Sequence, residues 1–277
     1  MFVIHTVFFL RYERQKYKKN VLLPPMNKHI IRHLGTTGST NRDLALLETE
    51  AAAGDQPLPD FFTIVADFQE SGRGQGSNRW VSNTGENILC SMLFRPPVKA
   101  SQQFLFNQYF ALSVRDFLLR YVPKVQIKWP NDIYVGDKKI AGILIEHSVA
   151  GERISRTIAG IGLNVNQTTF PLPLPNPTSI WLETGIRHDV AALTEELLDS
   201  FVSGYRRHLF EQSSDELQEE YLSCLYRRGE YHTYVIGGVR MDAQIDGVDA
   251  YGRLLLSDKS GQKWCCGMKE ISFLPDK

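Results

Sequence analysis

From His29 onward, apolar and polar positions fall into a regular order. HIIRHLG reads as a strand, and TTGSTNRDLALLETEAAAGD as a helix with a Leu/Ala face, capped by Ser39, Thr40 or Asn41. FFTIVADFQE is a buried strand that runs straight into GRGQGSNRW, and NILCSMLFR is the next strand, stopped by Pro96 and Pro97. QQFLFNQYFALSVRDFLLRYV repeats apolar residues at helical spacing over several turns. VQIKWPNDIYV and KKIAGILIEHS flank the pair Gly136-Asp137, which predicts a hairpin, and TIAGIGLNVN is a further buried strand. The loop FPLPLPNP leads to two helices, 189–210 and 213–228. Beyond 230, YHTYVI, RMDAQIDGVDAYGRLLLSD and KWCCGMKEISFL predict five short strands with glycine turns, a small β-barrel.

The hairpin also predicts a geometry. With Gly136 and Asp137 in the turn, Val135 faces Lys138, Tyr134 faces Lys139 and Asp132 faces Ala141. Side chains alternate along strands, so Asp132 and Lys139 share one face, joined by Lys128 if the alternation runs through Pro130. Two lysines and an aspartate on one face suit an anion site. They equally suit an exposed ion pair worth about 0–1 kcal/mol. Both readings stay open at this level. The loop GRGQGSNRW is similar: either a basic surface turn, or backbone that wraps an anion.

Composition narrows the classes. The chain has 277 residues, enough for one large domain and a small one, here 28–229 and 230–277 after an extension of 1–27. Lys plus Arg equals Asp plus Glu at 31 each, so no global basic field points to nucleic acid or an anionic membrane. Any anion site is therefore local. Cys90, Cys224, Cys265 and Cys266 form no C-x-x-C pair and read as reduced structural thiols, as expected in the cytoplasm. The opening MFVIHTVFFL is too short to span a bilayer, and its charge follows rather than precedes it, unlike a signal peptide. Residues 1–27 read as a poorly ordered extension, with Met26 an alternative start.

The order of the motifs decides between the open readings. S-T-N, then Q-E-S-G-R-G-x-x-x-x-R-W, K-W-P-N-D, K-K-I-A-G-I-L-I-E and G-I-G-L-N-V-N resembles the biotin protein ligases, from about Ile30 to the C-terminus. The resemblance implies an α/β fold: a mixed, mainly antiparallel sheet flanked by helices, like a class II synthetase core, followed by an SH3-like barrel. It also implies two-step acyl activation, giving biotinyl-5′-AMP and then transfer to a lysine of a carrier domain. By the same resemblance, Lys139, Arg73 and Asp132 are catalytic. Ser39, Thr40, Asn41, Gln69, Gly74, Gln75, Gly142 and Gly160 join Arg73 and Lys139 around biotin. Trp80, Lys128, Asn131, Gly162 and Asn164 lie with Arg73 at the adenylate, Trp80 against the adenine. Mg²⁺ arrives with ATP rather than in a site of the protein's own. Asp132 orients Lys139 or the acceptor amine, or helps hold the metal.

Two departures stand out. Gln75 to Asn78 make the loop less basic than in many family members, which bears on how firmly it retains the adenylate. The segment before the first strand is too short for the N-terminal helix-turn-helix of the bifunctional members, so a monofunctional enzyme, monomer or homodimer, is expected. The alternatives are a lipoate ligase, against which the GRG loop and KWPND stand, and a biotin- or nucleotide-sensing module without turnover.

Overall fold

The computed structural model describes residues 28–274. The readings of residues 1–27, Met26 included, lie outside them. A seven-stranded sheet runs in the order β1-β2-β3-β7-β6-β5-β4. Its strands are β1 (Ile30–Thr37), β2 (Phe62–Gln69), β3 (Asn87–Phe94), β4 (Val125–Lys128), β5 (Asp132–Val135), β6 (Lys138–Ala150) and β7 (Arg153–Asn164). Only β1 and β2 pair in parallel; the other neighbours are antiparallel, so the sheet is mixed and mainly antiparallel as expected.

The two faces of the sheet differ. One packs on α2 (Phe104–Leu118), which is apolar almost all round because α4 (Val190–Arg206) and α5 (Ser214–Ser223) cover its far side. Ile88, Cys90, Met92 and Phe94 of β3 enter this core, while Leu89, Ser91 and Leu93 turn to the other face. There α1 (Thr40–Ala53) packs through Leu44 on Ile64, Leu93 and Ile158. The rest of that face is left uncovered by helix and becomes the site.

A short α3 (Ile180–Thr184), capped by Ser179 accepting from Leu182 N, follows the proline loop and was not anticipated. The helix expected over 189–210 ends in a wider turn at Arg207–Glu211. The one expected over 213–228 stops at Ser223, because the next residues hydrogen-bond to β4 instead: Ile127 N donates to Cys224 O and Tyr226 N to Ile127 O.

The five C-terminal strands, β8 (Tyr231–Ile236), β9 (Val239–Val248), β10 (Leu254–Ser257), β11 (Lys263–Cys266) and β12 (Ile271–Phe273), form one antiparallel sheet in the order β11-β10-β9-β8-β12. Cys265 is exposed and Cys266 buried on opposite sides of β11, and all four cysteines are free. Trp129 Nε1 donates to Gly252 O of the barrel at 2.8 Å, and Gly252 sits so close to Phe104 that a Cβ there would lie 2.4 Å from its ring. Among the described residues, no helix is long and apolar enough to cross a membrane.

His147 of β6 is half-buried edge-on to Phe106, with Thr157 Oγ1 at 2.8 Å from Nδ1 and Asn107 Oδ1 at 3.3 Å from Nε2. Burial depresses its pKa to about 4. Between that value and the unfolded one near 6.5, the unfolded chain binds the proton and the fold does not, so stability falls as pH drops through this window. The urea midpoint of His147→Gln should fall less between pH 7 and pH 4.5 than that of wild type. Equal slopes would remove His147 as the cause.

Candidate functional site

β6 reaches the uncovered face through a β-bulge. Tyr134 pairs with Lys139 and Ile133 with Ala141, leaving Ile140 extra. Asp132 therefore faces Gly142, not Ala141 as strict alternation predicts. Ile140 and Ala141 both turn into the core, fully buried. Lys139 thus shares a face with Gly142, Leu144 and Glu146, whereas unbroken alternation would have set it beside Ala141 and Ile143. The expected meeting of Asp132 and Lys139 survives the shift: Lys139 Nζ lies 2.7 Å from Asp132 Oδ1.

The floor of the site is glycine. Gly142 and Gly162 are cross-strand partners, and the Trp80 indole lies on them. A Cβ on Gly162 would stand 2.2 Å from Trp80 Cε2, and one on Gly142 2.9 Å from Cζ3. A Cβ on Gly160 would meet Asn41 Oδ1 at 1.9 Å. Only bare backbone admits the indole and the amide so close. Trp80 Nε1 is buried against this floor with no hydrogen-bond partner among the described residues.

The glycine loop folds as a miniature hairpin: Arg73 bridges to Arg79, Gly74 N donates to Asn78 O at 2.8 Å, and Trp80 N to Gly72 O at 3.0 Å. Its tip rests on the barrel, Gln75 Nε2 donating to Met268 Sδ. Arg73 reaches inward to Glu146, with Nη2 to Oε1 at 2.9 Å and Nη1 to Oε2 at 3.3 Å.

At the other end lies a polar set. Ser39 occupies the N-cap position of α1, but its side chain makes no cap bond. Gln69 takes that role from β2: its Oε1 accepts from Thr40 N at 2.8 Å and Thr40 Oγ1 at 3.2 Å. Asn41 Nδ2 donates to Leu144 O and Glu146 Oε2, and its Oδ1 accepts from Ser91 Oγ at 2.6 Å. Ser91 Oγ also lies 2.7 Å from Thr40 Oγ1.

One cavity of about 100 Å³ is lined by Ser39, Thr40, Asn41, Gln69, Arg73, Gly74, Gln75, Trp80, Asn131, Asp132, Lys139, Gly142, Gly160 and Gly162. Fourteen of the sixteen sequence-derived site residues thus converge. The volume falls below the roughly 300–1,000 Å³ of a drug-sized ligand site, so loop and indole must shift to admit one. Lys128 and Asn164 do not line it. Lys128 stands opposite Asp132, yet its Nζ donates to Tyr134 OH at 2.8 Å and sits over the Phe273 ring of the barrel. Burial lowers its pKa, partly offset by Asp132. Asn164 donates to Thr178 O and is buried. Sequence reasoning missed Ser91 and Glu146. Ser91 carried a signal, a lone hydroxyl within NILCSMLF. Glu146 ended the K-K-I-A-G-I-L-I-E motif, but only the bulge reveals its face.

The cavity offers cations to an anion, hydrogen-bonding groups at one end and a flat aromatic wall. As a resident site for a divalent cation it fits poorly. Such ions take several oxygen ligands, whereas Asp132 is the one carboxylate lining the cavity and Lys139 already holds it.

Residues 40–164 match the family model described as the Biotin/lipoate A/B protein ligase family. The chain is similar to the bifunctional ligase/repressor BirA of Bacillus subtilis (strain 168), 32% identical over 190 residues, 66% of this chain and 56% of that protein. It is 29% identical over 211 residues to the biotin–[acetyl-CoA-carboxylase] ligase of Paracoccus denitrificans, covering 72% of this chain and 85% of that one. This chain thus spans little more than half the length of the Bacillus relative. Among solved structures, the biotin protein ligase of Aquifex aeolicus in complex with biotin and ATP superposes with a TM-score of 0.71 at 24% identity, over 90% of this chain and 100% of that chain. At that identity the likeness speaks for the fold alone.

Proposed function

We propose that this chain, whose residues 40–164 match the biotin/lipoate A/B protein ligase family model, is a biotin protein ligase. It activates biotin with MgATP as biotinyl-5′-AMP and passes the biotinyl group to a lysine of a carboxylase carrier domain. The observation that carries this reading is the single cavity in which Lys139, Arg73 and a glycine floor under Trp80 meet the Ser39–Thr40–Asn41–Gln69 set.

In the first step a biotin carboxylate oxygen attacks the α-phosphorus of ATP, and the bond to the departing pyrophosphate breaks. Both reactants are anions, so Lys139 and Arg73 offset their repulsion. In the second step the acceptor lysine amine attacks the acyl carbon and AMP leaves. Asp132, 2.7 Å from Lys139 Nζ, holds that ammonium in place. Mg²⁺ enters as part of the nucleotide substrate. Ser39 and Thr40 present hydroxyls to the biotin ureido group, while Asn41, already bonded on both sides, fixes the wall they stand on. Trp80 and Asn131 take the adenylate end. We place the division between catalytic domain and barrel at 229/230, and the enzyme in the cytoplasm.

The family also includes lipoate ligases. A dithiolane ring has nothing to pair with the Ser39 hydroxyl, which is buried and makes no cap bond. Incubation with MgATP, labelled pyrophosphate and either acid should show exchange into ATP with biotin only. A purified carrier domain should then become biotinylated. Exchange with lipoate alone would reverse the choice, and tight adenylate binding without transfer would make the protein a sensor.

A further inference from the structure

Glu146 has no role in the chemistry described above, yet it is the partner of the cation on which that chemistry leans. It follows Gly142 and Leu144 on the cavity face of β6, and its carboxylate takes both ends of the Arg73 fork, at 2.9 and 3.3 Å. The same Oε2 accepts from Asn41 Nδ2 at 2.8 Å. One carboxylate therefore ties the glycine loop to the wall of the polar set.

A guanidinium forked on a carboxylate commits one N–H on each terminal nitrogen, two of its five donors and the pair that matches a second carboxylate or phosphate. Arg73 cannot turn the same fork to a ligand carboxylate or phosphate without releasing Glu146. The pair is half exposed, Arg73 at 47% and Glu146 at 38% by side chain, so it is weak enough to exchange. Asn41 is buried and keeps its other bonds to Leu144 O and Ser91, so it holds Glu146 when Arg73 leaves.

We infer that Glu146 is a positioning residue that holds Arg73 in the ligand-free enzyme and competes with the anionic ligand for it. This rests on the ligase reading given above. It makes Glu146 an internal stand-in for the ligand's anion: it keeps the cation over the cavity and lowers ligand affinity, so that the loop can reopen.

The sign of one substitution separates this from a purely structural role. Glu146→Gln keeps the length and an acceptor for Asn41 while removing the competing charge. Biotinyl-5′-AMP should dissociate about three- to tenfold more slowly than from wild type, and biotin should bind correspondingly tighter by titration calorimetry. The ratio should shrink as salt rises. Glu146→Asp, which keeps the charge, should stay near wild type. In the Arg73→Ala background, Glu146→Gln should change nothing. If Glu146 instead props Arg73 toward the ligand, Glu146→Gln will release the adenylate faster, which overturns the inference. An unchanged rate, or a gain that persists without Arg73, overturns it too. A wild-type protein that binds no biotin removes the ligase reading itself, and this inference with it.

Discussion

Lys139→Ala should lower biotin-dependent pyrophosphate exchange by about 10²–10³ while leaving the fold intact, by analogy with removing one charge-stabilising donor from an active site. Lys139 Nζ is 2.7 Å from Asp132 Oδ1 and 5.7 Å from the centre of the Trp80 ring, in the cavity that Arg73 also lines. In the proposed reaction two anions meet there, and the barrier includes their mutual repulsion and the loss of their hydration. A lysine supplies a compact charge that follows the phosphate as bonds change. Its removal has a second effect. Asp132 is left as an unpaired, three-quarters buried carboxylate facing an anionic ligand. Asp132→Asn should therefore recover part of the lost ligand binding when added to Lys139→Ala, although turnover stays low. Full exchange activity in Lys139→Ala would remove Lys139 from the mechanism.

Gly162→Ala should weaken biotin binding by about 10- to 100-fold, the equivalent of an over-packing penalty of 1–3 kcal/mol. The new methyl would stand 2.2 Å from Trp80 Cε2 and 2.5 Å from Nε1, so the indole must lift off the sheet. Trp80 closes the glycine loop, and lifting it moves Arg73 and Arg79 as well. Gly142→Ala meets the same ring only at 2.9 Å and at its outer edge, and should weaken binding less. Titration calorimetry of both variants tests the order. A Gly142→Ala effect equal to or larger than that of Gly162→Ala would mean that the indole does not rest where the floor places it.

The sheet, its helices and the five C-terminal strands were legible because their patterns are local. Period-two runs, a helical face over α2 and the Gly136-Asp137 turn each lie within a few residues. The bulge was not legible. Ile140 and Ala141 are both apolar, and the run from Lys139 to Ile145 reads as one unbroken strand until its partner is known. Lys128 stands outside the cavity lining for a tertiary reason: Tyr134 and Phe273, one from a neighbouring strand and one from the barrel, hold its ammonium. Gln69 was read as a ligand contact, and only the structure shows it also capping α1 across the sheet. Family resemblance supplied the site residues. It assigned no role to Ser91 or Glu146, whose partners lie fifty or more residues away.

The extra residue in β6 has a consequence for how this strand can change over generations. Because Ile140 is the residue left without a partner, its loss would restore strict alternation and keep Lys139, Gly142, Leu144 and Glu146 on one face. Losing Ile143 or Leu144 would instead send Glu146 into the core and turn Ile145 toward the cavity. The turn at Gly136-Asp137, exposed at the end of the hairpin, should absorb an added residue. Length variation among close relatives should therefore gather at the turn and the bulge and spare the alternating stretch from Gly142 to Glu146.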